Sequence, residues 1–210
     1  MRWTWRWVCT VFLLHLLIAP AMAMKEINWE ALFAGEVEVE AVRRPDGISG
    51  LRALFTITAP RDRIWTTLLD YSNFPKMFPE IKTIRVLENT QQGAHVEYWV
   101  DAVLSEYHYV VYRRYDEPGR RLSWSRISGD VKRIEGSWEI RETPRPDVQM
   151  LVYESYVDIG GILPVALVRA EAMRRTHEMG ERLRSWIEGR AACLPATSHV
   201  QTVGIQPCER

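Results

Sequence analysis

The 210-residue sequence contains 27 Lys and Arg against 27 Asp and Glu, so its formal net charge at pH 7 is +0. Hydrophobic residues at 47% and charged residues at 26% are typical of one globular domain that is long enough to bury a core. The balanced charge gives no indication of a nucleic-acid-binding protein, and we expect no nucleic-acid partner.

The first 23 residues have the pattern of a secretory signal peptide. Arg2 and Arg6 form a basic start, an apolar run covers residues 8–18, and an Ala-Met-Ala motif ends at Ala23. The apolar run is about half as long as a membrane span requires. We therefore expect a signal peptide over residues 1–23 and a periplasmic or secreted protein, with an uncleaved N-terminal anchor as the alternative.

Two cysteines remain after this segment, and both lie near the C-terminus. Cys193 and Cys208 stand in a segment without helical or strand periodicity. In an oxidising compartment this pair could form a disulfide, while the competing interpretation is two free thiols in a disordered tail. No CxxC motif or His/Cys cluster indicates a metal site, and we expect no metal and no cofactor.

The first regular elements form a predicted hairpin. Residues 36–42 (EVEVEAV) alternate between polar and apolar side chains, as a half-exposed strand does. A turn with two glycines follows at residues 46–50, and residues 51–58 (LRALFTIT) read as a second strand.

A short helix with a broken continuation is predicted next. Pro60 suits its first turn, while Pro75 and Pro79 prevent it from continuing. Its apolar stripe consists of Ile64, Trp65, Leu68 and Leu69. Phe74 and Phe78 at the break could anchor the helix end in the core, or they could seal the rim of a cavity.

Six further strands are predicted, followed by one long helix. Short polar connectors containing Gly or Pro favour sequential antiparallel pairing of these strands. The predicted strands are residues 81–88, 94–104, 106–115, 120–128, 131–142 and 148–158.

The last predicted helix covers residues 165–188 and is amphipathic. A projection at about 100° per residue gathers its apolar side chains on one face. These are Val165, Val168, Ala172, Met173, Met179, Leu183, Trp186 and Ile187, together with Thr176. Arg169 falls inside this arc. Because a buried cation is costly, Arg169 either extends to solvent at the helix end or meets a carboxylate or a ligand oxygen.

This order of elements resembles the START-like (SRPBCC) superfamily of helix-grip proteins. The resemblance covers about residues 48–188 and is closest to the coenzyme Q-binding and polyketide cyclase/dehydrase branch. The matching pieces are Ala59-Pro60, Trp65, Leu69-Asp70-Tyr71, Phe74-Pro75, Phe78-Pro79, Gly136-x-Trp138, the Gly161 to Pro164 segment and the long last helix. These motifs are more specific for the fold than for the ligand.

The resemblance implies an α+β helix-grip fold, in which a curved antiparallel sheet wraps around the long C-terminal helix. An apolar cavity would lie between the sheet and this helix. We expect one START-like domain over residues 24–190 and an irregular tail over residues 191–210. The expected ligand-binding residues are Trp65, Tyr71, Phe74, Phe78, Tyr98, Tyr109, Trp124, Trp138, Arg169 and Met173.

Residues suited to catalysis are sparse. The sequence has no G-x-S-x-G motif, and His95 and His108 read as surface partners on neighbouring strands. Glu154 and Asp158 share one strand face and could act as an acid/base pair. We expect them instead to face solvent or to meet an arginine across the sheet, the candidates being Arg113, Arg114 and Arg141.

The sequence thus favours an exported monomer that holds a lipid, an isoprenoid quinone or a sterol-like molecule. Ligand exchange would involve the aromatic rim and could include a transient membrane contact. The alternative is a polyketide cyclase/dehydrase-like enzyme acting on an aromatic or polyketide substrate in the same cavity. A third reading, similar to the ribosome-association toxin branch, conflicts with the export signal because ribosomes are cytoplasmic.

Overall fold

The computed structural model describes residues 26–102, 105–158 and 165–189. In these residues a curved eight-stranded antiparallel sheet is combined with four α-helices, which confirms the helix-grip prediction. The strands are β1 (Glu38–Arg43), β2 (Ser49–Ile57), β3 (Ile81–Asn89), β4 (Gly93–Asp101), β5 (Glu106–Glu117), β6 (Arg121–Gly129), β7 (Arg133–Glu142) and β8 (Gln149–Asp158). The helices are α1 (Trp29–Phe33), α2 (Arg61–Leu69), α3 (Phe74–Met77) and α4 (Val165–Ile187).

The strands lie in the order β1-β2-β8-β7-β6-β5-β4-β3. Strands β3 to β8 form a meander of sequential antiparallel neighbours, as their short connectors predict. The predicted hairpin of β1 and β2 is also present, with Glu38 opposite Leu54. Strand β8 then pairs with β2, where Phe55 lies opposite Leu151. Helices α2 and α3 therefore carry the chain from β2 to β3 at the far edge of the sheet.

The C-terminal part of α4 packs closely on the concave face of the sheet. Met179, Leu183 and Ile187 are buried in the main hydrophobic cluster together with Phe55 of β2. Gly180 permits the close approach, because a Cβ atom there would lie 2.9 Å from Cγ1 of Val37. This half of the helix is held by ordinary core packing.

The preceding part of α4 is packed differently. Residues 168–178 are half-buried or exposed, and none of them is fully buried. One long helix thus has a tightly seated C-terminal half and a loosely seated N-terminal half. The loose half faces the space that is described below as a cavity.

Helix α1 is an element that the sequence did not predict. Its first turn is capped by Asn28, whose side-chain oxygen accepts a hydrogen bond of 3.1 Å from the backbone N–H of Ala31. Leu32 is fully buried against Met150 and Val152 of β8. The helix therefore covers the convex face of the sheet, opposite α4.

The predicted signal peptide, the residues around Gly161 and the tail with Cys193 and Cys208 lie outside the described residues. Among the residues that are described, no helix combines the length and apolarity needed to cross a membrane.

Candidate ligand-binding cavity

Two adjoining chambers lie between the concave face of the sheet and α4. The inner chamber has a volume of about 220 Å³ and the outer chamber about 820 Å³. Both are lined by Glu80, Val100, Tyr153, Ser155 and Met179. The outer chamber extends along the loosely packed half of α4, where Val168, Ala172 and Thr176 line it.

The wall of the inner chamber is rich in aromatic side chains from neighbouring strands. Tyr98 of β4 lies opposite Tyr109 of β5, and the two rings stack at a centroid distance of 5.5 Å. Tyr153 of β8 lies 5.8 Å from the Trp124 ring and 4.5 Å from the Trp138 ring. Because alternate residues of a strand point to one face, these positions all project from the concave side. Of the predicted site residues, six line this chamber: Phe74, Phe78, Tyr98, Tyr109, Trp124 and Trp138.

The proline-bounded segment closes one side of the inner chamber. Phe74 and Phe78 are 5% and 7% exposed, and their rings meet edge to face at 5.4 Å. Helix α2 ends at Leu69, and the segment contains only the single turn of α3. Pro75 lies in that turn, where a missing N–H costs no intrahelical bond. The two phenylalanines are thus both core residues and part of the chamber wall.

Three other predicted site residues are not among the lining residues of the two chambers. Trp65 packs edge-on against Tyr115 at 5.9 Å, Tyr71 is buried beside Phe74, and Met173 is half-buried on α4. Arg169 does line the outer chamber, but it is exposed to solvent. Arg169 falls in the apolar arc of the helical projection, but its side chain is not buried, because this half of α4 packs loosely on the sheet.

Arg113 of β5 is a polar residue of this cavity that the sequence indicates only as a candidate ion-pair partner. Its side chain lines the inner chamber and is only 3% exposed. Its Nη1 donates a hydrogen bond of 3.1 Å to the phenol oxygen of Tyr98, and its Nη2 donates one of 3.2 Å to the carbonyl of Leu68. The guanidinium also lies 4.9 Å from the centroid of the Tyr71 ring. Alternation along β5 could have revealed this site, since Arg113 shares a face with Tyr109.

Glu154 and Asp158 do pair with basic side chains, which is one of the two expected arrangements, but not with Arg113. Glu154 instead forms an ion pair of 2.7 Å with Arg52, and Asp158 forms one of 3.4 Å with Lys132. Glu154 lies beside Tyr153, which faces the cavity, so its carboxylate points to the convex side of the sheet. Within the described part of the chain, Arg113 has no carboxylate at ion-pair distance.

Burial shifts the titration of the groups around this chamber. Burial opposes the charge of Arg113, but the guanidinium stays protonated, because an arginine side chain is not deprotonated in proteins. Burial also raises the pKa of the phenols of Tyr98, Tyr109 and Tyr153. These phenols are therefore neutral hydrogen-bond donors at physiological pH.

Charged side chains fix the edges of the outer chamber. Arg182 of α4 forms an ion pair of 3.4 Å with Glu80, and Arg175 donates a hydrogen bond of 2.8 Å to the carbonyl of Asp101. On the opposite side, Arg133 of β7 pairs with Asp46 of the β1–β2 turn at 2.9 Å. The outer chamber is thus apolar along its length and polar at its edges.

The two strand histidines lie away from the cavity. His108 meets Glu97 at 2.9 Å and His95 meets Glu88 at 2.9 Å, so each has an acidic surface partner on the convex side. No group of three His, Cys, Asp or Glu side chains among the described residues could hold a metal ion. The polar groups that line the inner chamber are the Arg113 guanidinium, the phenols of Tyr98, Tyr109 and Tyr153, the Ser155 hydroxyl and the Glu80 carboxylate.

The family model described as polyketide cyclase / dehydrase and lipid transport matches residues 57–184. This range includes α2, α3, strands β3 to β8 and most of α4. It contains every residue that lines the inner chamber and those that line the outer chamber apart from residues 46–51. A search of curated proteins found no match.

Several solved structures share the fold at low sequence identity. A START superfamily protein from Mycobacterium smegmatis is 17% identical with a TM-score of 0.57, covering 74% of this chain and 99% of its own. The Zhui aromatase/cyclase from Streptomyces sp. R1128 is 18% identical with a TM-score of 0.58, covering 73% and 96%. A STAR-related lipid transfer protein from Xanthomonas axonopodis is 17% identical with a TM-score of 0.60, covering 72% and 93%.

Proposed function

Since the chain belongs to the polyketide cyclase / dehydrase and lipid transport family, we propose that it is an exported binding protein for a hydrophobic small molecule. The ligand occupies the two adjoining chambers between the sheet and α4. The ligand is a lipid, an isoprenoid quinone or a sterol-like molecule. Export follows from the N-terminal signal pattern of residues 1–23.

The cavity itself is the observation that carries this proposal. Ligand pockets usually enclose about 300–1,000 Å³, are mostly apolar and contain few polar groups. The outer chamber of about 820 Å³ lies within this range, and the inner chamber adds an aromatic wall. A cavity of this size costs stability when it is empty, so its presence favours a resident ligand.

An enzyme of the cyclase/dehydrase kind is the second candidate, since Arg113, Tyr109 and Glu80 line the cavity. Two features favour the carrier. No histidine is present among the described residues that line the cavity, and the raised pKa of the Tyr109 phenol disfavours its ionised, basic form. The names of the Streptomyces and Xanthomonas neighbours point to cyclase chemistry and lipid transfer respectively. At such low identity they support only the fold.

The test is to express the full chain, recover the exported protein and analyse it by mass spectrometry before and after organic extraction. We expect a mature chain that starts after Ala23 and an intact hydrophobic molecule at about one per chain. Protein that is recovered empty, and that converts an added polyketide substrate, would favour the enzyme instead.

A pair of tryptophan variants sharpens this test. Trp124→Ala removes a ring from the inner chamber, and we expect it to lower the amount of co-purified molecule. Trp99→Ala is the matched control, because Trp99 lies on the convex face of β4, stacked on His108 at 4.7 Å. Equal ligand content in both variants would contradict binding in the cavity.

A further inference from the structure

The inner chamber contains a buried cation that has no acidic partner in the part of the chain that the structure describes. Arg113 is 3% exposed, and among the described residues its hydrogen-bond acceptors are one phenol oxygen and one backbone carbonyl. Its Nε is buried and has no hydrogen-bond partner. A guanidinium has five N–H groups, so most of its donors are unused.

This arrangement is costly for a protein without a ligand. A buried charge is normally paired with an opposite charge, because two neutral acceptors and aromatic ring faces compensate only part of its desolvation. The phenol of Tyr98 adds to the unused donors. Its oxygen accepts a hydrogen bond from Arg113, so its own O–H is free to donate.

The other charged groups of the cavity do not supply the missing anion. Glu80 lines both chambers, but its carboxylate forms an ion pair with Arg182 of α4. Asp46, at the edge of the outer chamber, is paired with Arg133. An unpaired positive charge thus lies buried in the smaller chamber. The acidic side chains among the described residues that line the outer chamber have basic partners: Asp46, Glu80, Asp101 and Asp158.

Resting on the proposed function, we propose that the ligand carries a carboxylate and binds with this group innermost. The carboxylate accepts hydrogen bonds from Arg113 and from the Tyr98 O–H. Guanidinium and carboxylate have matching planar geometry, which makes this pair strong and specific. The apolar part of the ligand extends past Tyr153 and Ser155, which line both chambers, into the outer chamber beside α4.

The experiment uses two fluorescent probes that have the same acyl chain, cis-parinaric acid and its methyl ester. Each is titrated into delipidated full-length protein at pH 7.5. We expect the acid to bind at least about tenfold more tightly, because a charge-assisted hydrogen bond contributes about that factor or more. Arg113→Met should abolish this preference, because it should weaken the binding of the acid and leave the binding of the ester unchanged. Arg113→Lys, which retains the charge, should keep part of it.

Arg114→Met is the matched control. Arg114 is the next residue of β5, points to the convex face and pairs there with Asp116, so this change should leave both affinities unaltered. Circular dichroism checks that each variant is folded, and the comparison of acid with ester in the wild-type protein needs no variant.

The possible outcomes separate the inference from the proposed function. Equal affinity of the wild-type protein for acid and ester would overturn the carboxylate inference and leave the hydrophobic carrier intact. A preference that survives Arg113→Met would also overturn it. Failure of the wild-type protein to bind either probe would count against the carrier as well.

Discussion

Gly180 of α4 lies so close to Val37, just before β1, that a Cβ atom on Gly180 would stand 2.9 Å from Cγ1 of Val37. The same atom would stand 3.3 Å from Cδ1 of Phe55. This contact seats the C-terminal half of α4 on the sheet. The N-terminal half, which lacks such a contact, borders the outer chamber.

Gly180→Ala should therefore destabilise the protein. In an exposed helix this change usually adds about 1 kcal/mol of stability. Here the new methyl group overpacks a filled core, so we expect the free energy of unfolding to fall by about 1–3 kcal/mol in urea denaturation. A more stable Gly180→Ala protein would show that the helix is not held this tightly.

Val37→Ala provides a compensating partner for that experiment. Because it removes the two methyl groups that the new Cβ would meet, the double variant Val37→Ala/Gly180→Ala should be less destabilised than the sum of the single variants. Strict additivity of the two effects would contradict a direct contact. Glu181→Ala, at an exposed position of the same helix, should change the free energy of unfolding by less than about 0.5 kcal/mol.

Tyr98→Phe removes the acceptor of a hydrogen bond from a buried guanidinium. We expect the free energy of unfolding to fall by about 1–3 kcal/mol, because a further N–H of Arg113 is left without a partner. Tyr112→Phe is the control, since Tyr112 lies on the opposite face of β5, beside His95. Equal and small effects of the two changes in urea denaturation would contradict the described role of Tyr98.

Glu135 should contribute to the pH dependence of stability. Its hydrogen bond from Arg133, together with one from Arg44, holds its pKa below the ordinary value of 4.5, against the opposing effect of partial burial. Its contribution is thus complete above about pH 4.5 and is lost as the pH falls below that value. Glu135→Gln should flatten the decrease in unfolding free energy between pH 6 and pH 3. Parallel curves for the variant and the wild-type protein would rule out this contribution.

Phe78→Ala tests whether the proline-bounded segment anchors the fold. Phe78 is nearly fully buried against Phe74, so we expect its truncation to lower the free energy of unfolding by about 3–5 kcal/mol. Phe33→Ala, at a half-buried ring on the convex side, should have a smaller effect. A stable Phe78→Ala protein that exchanges its bound molecule faster would identify the ring as a gate instead.

The sequence was most informative where periodicity is long and regular. Alternation and short connectors predict the meander from β3 to β8, and the 3.6-residue stripe predicts α4 to within a residue at its C-terminal end. Helix α1 escaped prediction because its five residues are too few to show a period, and its stability comes from Leu32 packing on β8. A five-residue segment shows no sequence pattern from which such a tertiary contact could be predicted.

The cavity residues were only partly predictable for a related reason. Aromatic residues on the predicted strands indicate the wall of a cavity, but which of them face the cavity depends on the strand register. The pairing of Tyr98 with Tyr109 defines that register for β4 and β5. The sequence indicates Arg113 only as an ion-pair partner and not as a cavity residue, because an arginine on a strand is usually exposed. Arg169 lies in the projected apolar arc and yet is exposed, because a projection shows which side of a helix a residue is on, and not how closely that part of the helix is packed.

The proposed ligand site is the open space between the sheet and α4. Ser155→Phe tests this most directly, because Ser155 lines both chambers and a phenyl ring would fill their junction. Ser125→Phe, at an exposed position on the convex side of β6, is the control. We predict that exported Ser155→Phe protein is folded but loses most of its co-purified hydrophobic molecule, while Ser125→Phe retains it. Undiminished ligand content in folded Ser155→Phe protein would contradict the account.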